Sequence, residues 1–548
     1  MSMELQKKNT KETVTLFSKI NAFLDKNGTS VFWSIYGIGI LFSLLLFNLR
    51  ISEGGDDSTY IIRAYNFLKE GTFPTFQGPL YPIFLSLVIG AFGISLGILK
   101  LTSLLFMALF LYLFYKAFKG RIEPLVLFFT LLLLSVNSYF LYFSSQTYSE
   151  AMFLAFLGWF FVEFFKYIDA PANETRDVRS ILLLSAIALV LTLTKTIGGG
   201  VVIAAVIFFM VTKDYKKAGM LLLFFFLLLG AWLLFKGLVW GFDAGASSQA
   251  NTLIYKHPYD FSKGKETFTG YLMRIVDNSN LYLSKHFVKM TGFLDPNSRV
   301  VNPLITVMLY LLFVFTFGEV YRKNRYLTFT GIFVIIMLGI TFVSLQKIWD
   351  QYRLIIPFFP FMLLMLTAGV IELFKKKRLV RFQIFVVLLM SLSFVLTADQ
   401  SFHKMDVLTL RSNLKGNKFK GYTDDWANYL RMAEYVGKNL GDDTYVACRK
   451  PNMARIMAGG KKFYGIYRVP TQDPDVLLQK LRERNVTHII MASLRKNPMV
   501  NNGYTINTVK RYMAYILKKY PKTFILKHQI GKSEPAYLFQ INYPQQQK

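Results

Sequence analysis

Long apolar runs separated by short polar segments occupy most of the chain up to Thr397. A helix needs roughly 20 residues to cross a hydrocarbon core about 30 Å thick. Runs near that length are Val31–Leu49, Ile98–Phe118, Pro124–Tyr142, Gln146–Tyr167, Ala218–Trp240, Pro303–Tyr321, Tyr326–Leu345, Leu354–Phe374 and Leu379–Thr397. Two shorter runs, Ile181–Thr194 and Ile197–Thr212, meet at Lys195 and a glycine triplet, where helix propensity is low. The pattern predicts eleven membrane-spanning helices.

One further apolar piece, Pro79–Gly93, is ambiguous, and the distribution of basic residues decides its placement. Lys and Arg concentrate in the cytoplasmic loops of membrane proteins. The basic loops between the predicted spans share one side with the basic N-terminus only if Pro79–Gly93 does not cross. We therefore predict a cytoplasmic N-terminus and an interfacial helix over Pro79–Gly93. Residues 50–97, residues 241–302 and everything after Asp399 are then extracytoplasmic.

Beyond the last apolar run, the pattern alternates between helix and strand. Helical periodicity covers 424–440, 473–485 (with Asp473 as its cap) and 508–520, and strand patterns cover 444–448, 486–492, 524–530 and 536–542. The pattern predicts a small α/β domain without a Gly-rich nucleotide-binding fingerprint. The predicted organisation is a cytoplasmic segment 1–30, a transmembrane domain 31–398 and an extracytoplasmic α/β domain 399–548.

Composition agrees with a polytopic α-helical membrane protein. The chain is 53% hydrophobic and contains 53 Phe in 548 residues, which is far more apolar than a soluble protein of this size. The net charge is +30, and in the apolar part of the chain Lys and Arg cluster in short loops between apolar runs, which indicates membrane orientation and argues against nucleic acid as a partner. Cys448 is the single cysteine, so an intrachain disulfide is excluded. No small-residue cleavage site follows the first run, which we interpret as a retained helix.

A small set of ionisable residues lies near the predicted outer ends of helices. They are Asp56, Asp57, Arg63, Lys100, Glu150, Lys195 and Arg353. Charges at this depth of a membrane need a partner or a function. Acids and cations together suit glycosyl transfer from an anionic lipid to a hydroxyl. A carboxylate would accept the hydroxyl proton, and Lys and Arg would neutralise the departing phosphate.

Each of these residues also has a purely structural interpretation. Asp56 and Asp57 suit the N-cap of the helix predicted in DDSTYIIRAYNFL. Glu150 suits a helix N-terminus because of the macrodipole, and an isolated lysine can extend to lipid phosphate. Arg353 fits a structural role least well, because it leads into a span whose first turns contain two prolines. The five histidines show no metal-ligand spacing.

An ordered set of motifs resembles the GT-C glycosyltransferases, in particular the bacterial protein-mannosyltransferase-like and aminoarabinose-transferase-like branch. The motifs are DDSTY from Asp56, GPLYP from Gly78, TYSEAMFLAF from Thr147, TKTIGG from Thr194 and RLIIPFFPFMLLM from Arg353. The chain departs from the family pattern in two places, with Asp57 where Glu is common and Lys195 where Arg is usual. A lysine binds phosphate as a point charge and lacks the bidentate geometry of arginine.

The resemblance implies a shared seven-span module and an outward-facing active site beneath the first external loop. It implies that Asp56 is the base of an inverting transfer, with Asp57 and Glu150 as supporting acids. Two further groups are assigned. The group that binds the donor phosphate is Lys100, Lys195, Arg353 and, by our extension, Arg63, and the tyrosines of the substrate loops are Tyr60, Tyr81 and Tyr352.

We therefore predict an inverting glycosyltransferase that transfers a sugar from a polyprenyl-phosphate donor to a hydroxyl on protein, lipid or glycan. Its expected location is the bacterial cytoplasmic membrane, and its expected partners are the lipid donor, the acceptor and membrane lipids. No cofactor is required and no metal ligand is assigned, although converging acids leave room for a divalent cation.

Two other classes of function stay open at this point. One is a membrane transporter or lipid flippase, which usually shows two related halves with interrupted helices and charges near the bilayer midplane. The other is a structural membrane protein whose basic external domain binds an anionic partner. The unassigned charges lie at one face and no halves correspond, which favours the glycosyltransferase.

Overall fold

The chain folds into a helical part, which ends at Phe402, and a C-terminal part built on a sheet. The computed structural model describes residues 15–75, 77–171, 174–242, 253–258, 263–346, 348–498 and 503–544. The helices of the first part are α1 (Leu16–Leu45), α2 (Asp56–Glu70), α3 (Leu80–Phe92), α4 (Leu96–Phe118), α5 (Pro124–Val136), α6 (Ser138–Ser145), α7 (Ser149–Asp169), α8 (Glu174–Thr194), α9 (Gly200–Val211), α10 (Tyr215–Trp240), α11 (Phe268–Ser279), α12 (Pro303–Val320), α13 (Arg325–Ser344), α14 (Phe359–Lys375) and α15 (Gln383–Phe402). Short 3₁₀ turns precede α9 and α15, another covers Tyr352–Leu354, and a π-helix, Asn280–Phe287, extends α11.

Every predicted span coincides with a helix or, for Pro124–Tyr142, with the bent pair α5 and α6. Among the described residues, eight helices are long and apolar enough to cross a membrane, and the pair bent by 60° makes a ninth if it is one span. The other two predicted spans are shorter, since α9 has 12 residues and α14 has 17. A helix rises about 1.5 Å per residue, so α9 alone is about 18 Å long. Helix length alone therefore supports eight or nine of the eleven predicted spans.

The ambiguous apolar piece forms a separate short helix, α3. Its 13 residues extend over about 20 Å, which is less than a hydrocarbon core about 30 Å thick. The helix ends at Gly93, whose φ of 68° lies in the left-handed region that favours glycine. This length agrees with an interfacial position for α3.

Helices α7 and α13 form the centre of the helical part. In their most apolar windows 72% and 67% of the residues are buried, against 17% in α10 and in α12. Aromatic rings fill this centre: the ring centroids of Phe161 and Phe361 are 4.4 Å apart, and those of Phe164 and Phe329 are 4.2 Å apart. Glu150 lies in the first turn of α7. The packing of α7 therefore holds this carboxylate in place.

The C-terminal part is a five-stranded mixed sheet with helices packed against it. Its elements are α16 (Val407–Leu414), α17 (Asp424–Asn439), β1 (Val446–Cys448), α18 (Pro451–Met457), β2 (Phe463–Gly465), α19 (Pro474–Glu483), β3 (His488–Ala492), β4 (Leu494–Arg495), β5 (Thr505–Ile506), α20 (Thr508–Lys519), β6 (Phe524–Ile530) and β7 (Ala536–Ile541). The strand order of the five-stranded sheet is β2-β1-β3-β7-β6, with β1 parallel to β2 and β3 and the other pairs antiparallel. Strands β2 and β6 are thus the two edges of this sheet. Strands β4 and β5 form a separate antiparallel pair.

The predicted elements of the C-terminal part are confirmed, but the sequence did not predict α16, α18, β2, β4 or β5. Asp473 caps α19 as predicted, because its carboxylate accepts a hydrogen bond from the Asp475 N–H at 2.9 Å. The unpredicted elements have 8, 7, 3, 2 and 2 residues. Segments this short show too few repeats of a hydrophobic period to be recognised.

Gly78, in the GPLYP motif, packs against the end of α8, the helix that leads to Lys195. A Cβ at this position would lie 2.2 Å from the carbonyl oxygen of Leu193 and 2.4 Å from that of Thr194. Both contacts are to backbone, which cannot move aside as a flexible side chain can. The glycine therefore permits the segment between α2 and α3 to touch the backbone beside Lys195.

We expect Gly78→Ala to lower the thermal unfolding temperature of the purified protein, because an overpacked contact of this kind costs about 1–3 kcal/mol. The matched control is Gly230→Ala in α10, where a Cβ meets no atom within 4 Å and helix propensity improves. Both temperatures are measured in one detergent. Equal unfolding temperatures for the two variants would contradict the close packing of Gly78.

Candidate active site

Asp56 and Asp57 open α2 and have different surroundings. Gly55 precedes them with a φ of 89°, a left-handed conformation that glycine adopts readily. The Asp57 carboxylate is buried and accepts hydrogen bonds from the N–H groups of Ser52 and Ser58, both at 2.7 Å. The Asp56 side chain is 46% exposed. The helix dipole favours both carboxylates, and Asp56 is the one open to a substrate.

Glu150 is the centre of a charge network that includes Asp56. The Glu150 side chain is fully buried, and its carboxylate accepts hydrogen bonds from Lys195 Nζ at 2.8 Å and from Arg353 Nε. The same guanidinium donates through Nη1 to the Asp56 carboxylate. Two acids and two cations from four separate segments therefore meet, and their formal charges balance.

The aromatic ring of Tyr148 packs against the Arg353 guanidinium. The guanidinium lies over the Tyr148 ring, 4.3 Å from its centroid, which is a favourable cation–π distance. The Tyr148 hydroxyl donates to Ser52 Oγ at 3.1 Å, and the Ser52 N–H donates to Asp57. Tyr148 thus connects the central cation to the loop that carries both aspartates.

Two of the three predicted tyrosines lie beside the start of α7. The buried Tyr60 hydroxyl donates to the Gln77 side chain and lies 3.2 Å from Ser149 Oγ, next to Glu150 in the chain. Tyr81 meets Tyr60 edge to face, with ring centroids 5.2 Å apart. The third tyrosine, Tyr352, adjoins Arg353 in sequence and packs against the ring of Tyr139 at 5.0 Å.

Two predicted phosphate ligands, Lys100 and Arg63, lie near the aspartates. The buried Lys100 ammonium donates to Asn48 Oδ1 at 2.8 Å and to a backbone carbonyl. Burial raises the pKa of Asp57 to about 6, and the charge of Lys100 opposes that rise. Burial lowers the pKa of Arg63, an effect that the nearby Asp56 opposes. These positions favour a role for Lys100 and Arg63 in neutralising the charge of the aspartates. Their binding to the donor phosphate stays a prediction.

The position between the Asp56 and Glu150 carboxylates is occupied by Arg353. A divalent cation shared by these two acids would need that same position. Among the residues that the structure describes, no group of three His, Cys, Asp or Glu side chains is placed to hold a metal ion. The guanidinium is therefore the cation around which these two acids are arranged here.

Residues of the C-terminal part contact the loop that leads to Asp56. The sequence did not predict these contacts. Ile51 is buried in the hydrophobic core of that part. The Tyr422 hydroxyl accepts from the Ile51 N–H at 2.6 Å and donates to its carbonyl oxygen at 3.0 Å. Lys450 Nζ donates to the carbonyl oxygens of Glu53 and Gly54 at 2.9 and 3.1 Å. The position of the loop before Asp56 therefore depends on residues that follow it by almost 400 positions.

A second charged group, also missed, lies near Arg353. Asp350 pairs with Lys285 Nζ at 2.6 Å and with His286 Nε2 at 2.7 Å, and both partners are on the π-helix after α11. Arg353 is three positions after Asp350, so their Cα atoms are at most about 11 Å apart. The histidine carried no sequence signal because its partner follows 64 residues later.

No protein-family model and no curated protein sequence matches this chain. Solved structures of the oligosaccharyltransferase of Archaeoglobus fulgidus do match it, at 12% identity. The apo crystal structure matches with a TM-score of 0.51 over 84% of this chain and 69% of that one. The AglB complex with an inhibitory peptide and a dolichol-phosphate matches with 0.53 over 93% and 74%. The structure tethered by a disulfide to an acceptor peptide with the NVT sequon matches with 0.53 over 95% and 75%.

At this identity the likeness shows the fold. The chain has the GT-C fold, with many membrane-crossing helices followed by a C-terminal domain. The fold class expected from the motifs is thereby confirmed, as is a multi-pass membrane protein.

We expect Glu150→Gln to lower the free energy of unfolding by about 3–5 kcal/mol, because it leaves Lys195 and Arg353 buried without their shared counter-charge. Glu163→Gln on the same helix is the control. Glu163 pairs with Lys166, whose side chain is 48% exposed, at 2.7 Å, and such a pair contributes about 0–1 kcal/mol. Unfolding is followed by denaturant titration in detergent micelles. Similar losses in both variants would show that Glu150 is not the centre of a buried network.

We expect the contribution of His286 to the free energy of unfolding to fall as the pH drops from 6.5 to about 4. Burial lowers the pKa of His286 from 6.5 to about 4 although Asp350 opposes this, and Lys285 and Lys289 add to the fall. The unfolded chain therefore binds a proton in this window that the folded chain does not, with a slope of up to about 1.4 kcal/mol per pH unit.

The contribution of His286 is isolated by comparing the wild type with His286→Gln. Asp57 acts with the opposite sign, because its pKa is raised from 3.8 to about 6 and its contribution to stability is lost as the pH rises through that range. Asp350 stays ionised, since its pKa is lowered. Unfolding curves at several pH values give the slopes. Identical slopes in the two proteins would mean that His286 titrates alike in the folded and unfolded chains.

Proposed function

We propose that the protein is an inverting glycosyltransferase that moves a sugar from a polyprenyl-phosphate donor to a hydroxyl acceptor. The observation that carries the proposal is the placement of Asp56. It is a half-exposed carboxylate at a helix N-terminus, in contact with a guanidinium that a fully buried acid holds in place. This arrangement offers a proton acceptor and a phosphate-binding cation side by side.

In the proposed reaction the acceptor oxygen attacks the anomeric carbon of the donor sugar. The bond between that carbon and the phosphate oxygen breaks, and its electron pair leaves with the polyprenyl phosphate. Asp56 accepts the hydroxyl proton, a contribution typically worth about 10²–10⁴ in rate. One displacement at the anomeric carbon inverts its configuration.

Arg353 and Lys195 are the cations proposed to stabilise the phosphate. The longest contact of Arg353, from Nη2 to Glu150 Oε2, is 3.5 Å. Among the described residues, Lys195 Nζ donates a single hydrogen bond, which Glu150 accepts. Both cations therefore retain N–H groups for an anion, and fixed donors beside a departing phosphate lower the barrier without reorganisation.

Solved structures of the same fold support a lipid phosphate as the donor class. One structure of the oligosaccharyltransferase of Archaeoglobus fulgidus contains a dolichol-phosphate and an inhibitory peptide, and another has a tethered acceptor peptide. A polyprenyl donor for this chain, a hydroxyl acceptor, the bacterial cytoplasmic membrane and an extracytoplasmic site are our proposals. The topology derived from the basic loops places Asp56 on the outer side.

We expect Asp56→Asn to bind the donor lipid but to lose transfer by about 10²–10⁴-fold. Mass spectrometry of the lipid that purifies with this variant would name the sugar. Transfer is then measured as conversion of that lipid to free polyprenyl phosphate. Asp442→Asn, which alters an exposed carboxylate of the C-terminal part, is the control. Wild-type transfer by Asp56→Asn would end the assignment of the base.

A further inference from the structure

The sheet edge formed by β2 lines two adjoining cavities outside the Glu150 network. Their volumes are about 390 and 380 Å³. Tyr464, Gly465 and Tyr467 line both cavities. We call this continuous depression the β2 groove.

One end of the β2 groove lies on the helix that begins with Asp56. Asn66 and Glu70 line that end, and they follow Asp56 on α2 by ten and fourteen residues. At about 1.5 Å per residue, the groove begins roughly 15 Å along the helix from the proposed base. Asn452 of α18 donates to Thr59 Oγ1 at 3.1 Å and joins the C-terminal part to α2 between these points.

The other end of the groove carries unpaired positive charge. Arg468, Lys480 and Arg484 line it, and among the described residues none of the three has a carboxylate partner. Glu483 is the one acid lining this cavity, and it accepts a hydrogen bond from Gln479 at 2.9 Å. Three cations without an ion-pair partner in the described part of the chain favour an anionic ligand.

Aromatic rings on the shared wall favour a ligand with sugar rings. Tyr467 is 58% exposed, and the guanidinium of Arg449 lies 5.7 Å from its ring centroid. An exposed ring offers an apolar face and a polar edge to a saccharide, which is likewise amphipathic. The Tyr467 ring also folds over the sheet edge, since a Cβ on Gly465 would lie 2.5 Å from it. An extended peptide that pairs with β2 would first have to displace this ring.

We propose that the β2 groove binds the acceptor of the reaction and that this acceptor is an anionic glycan, a saccharide chain bearing carboxylate or phosphate groups. The proposal rests on the transferase function proposed above and names its acceptor class. Tyr464 and Tyr467 pack against sugar rings, and Arg468, Lys480 and Arg484 bind the anionic groups. One end of the glycan then lies along α2, directed towards Asp56. The C-terminal part has a net charge of +16, which attracts such a chain from solution.

The test is binding of short probes to the full chain in nanodiscs of a neutral phospholipid. The anionic probe is a hexamer of galacturonic acid, and the neutral probe of equal length is maltohexaose. We expect Arg468→Ala with Arg484→Ala to weaken binding of the anionic hexamer about tenfold or more, because two charge-assisted contacts are lost. Tyr467→Leu should weaken it as well. Maltohexaose binding as tight as that of the anionic hexamer would overturn the proposal.

Lys527→Ala with Lys532→Ala is the matched control for net charge. These exposed lysines lie in β6 and just after it, at the opposite edge of the sheet and about 19 Å from β2 by strand spacing. We expect less than a twofold change in this control. Equal losses of hexamer affinity in both double variants would show that binding depends on the net charge of the protein and not on the groove. That result would overturn the proposal.

Two further probes separate a glycan from other anionic partners. A hexaglutamate peptide that competes as well as the anionic hexamer would assign the groove to acidic protein. If binding to phosphatidylglycerol vesicles depends on Arg468 and Arg484 and binding of the hexamer does not, the groove is a lipid-binding site. Either result overturns the proposal.

The outcome separates this proposal from that for Asp56. Asp56→Asn should bind the hexamer as the wild type does, because the base lies outside the groove. Hexamer binding that is unaffected by the groove variants, together with loss of transfer in Asp56→Asn, would overturn the acceptor site alone. Groove-dependent binding with full transfer in Asp56→Asn would overturn the base alone.

Discussion

The buried carboxylate of Glu150 is the constraint on which the site depends. An acid without access to water stays ionised only when cations are close to it, and Lys195 and Arg353 supply that charge. These cations come from the end of α8 and from the segment before α14. Asp56, on α2, joins them through Arg353. The requirement to neutralise one carboxylate thus brings four distant segments of the chain to one point.

Shared pairing also makes the network responsive to a ligand. Arg353 serves two acids that differ in exposure, since Glu150 is fully buried and Asp56 is half open. Loss of its contact with Arg353 would raise the free energy of the Glu150 carboxylate far more than that of the Asp56 carboxylate, because water can solvate Asp56 instead. An incoming anion would therefore compete first with Asp56. The difference in burial sets the order in which the contacts of Arg353 can be exchanged.

The sequence predicted best those features that a membrane makes unusual. Asp56, Glu150, Lys195 and Arg353 stand out because charges are rare among apolar runs, and the structure joins all four. Lys100 satisfies the same criterion, yet it donates its hydrogen bonds to the loop before the aspartates. A common depth in the membrane does not tell on which side of a helix a residue lies. The sequence therefore predicted which charges matter better than which charges meet.

The contacts that escaped prediction involve charges in polar surroundings or backbone atoms. Lys450 is one of many lysines in a basic region, and its partners are carbonyl oxygens, which every residue has. His286 and Asp350 both lie in segments rich in polar residues. Nothing in composition distinguishes such residues from solvated ones. Their pairing depends on tertiary folding, which brings together segments 64 residues apart in one case and 397 in the other.

The attachment of the loop before Asp56 to Tyr422 and Lys450 has a consequence for biosynthesis. Glu53 leaves the ribosome 397 residues before its partner Lys450, an interval of about 20–80 s at usual elongation rates of about 5–20 residues per second. During that time the growing chain inserts helix after helix while the two aspartates lack their final support. The carboxylate that we propose as the base is thus among the first functional groups to be synthesised and among the last to be fixed. A nascent chain that terminates early would carry that carboxylate without the contacts from the C-terminal part that position it.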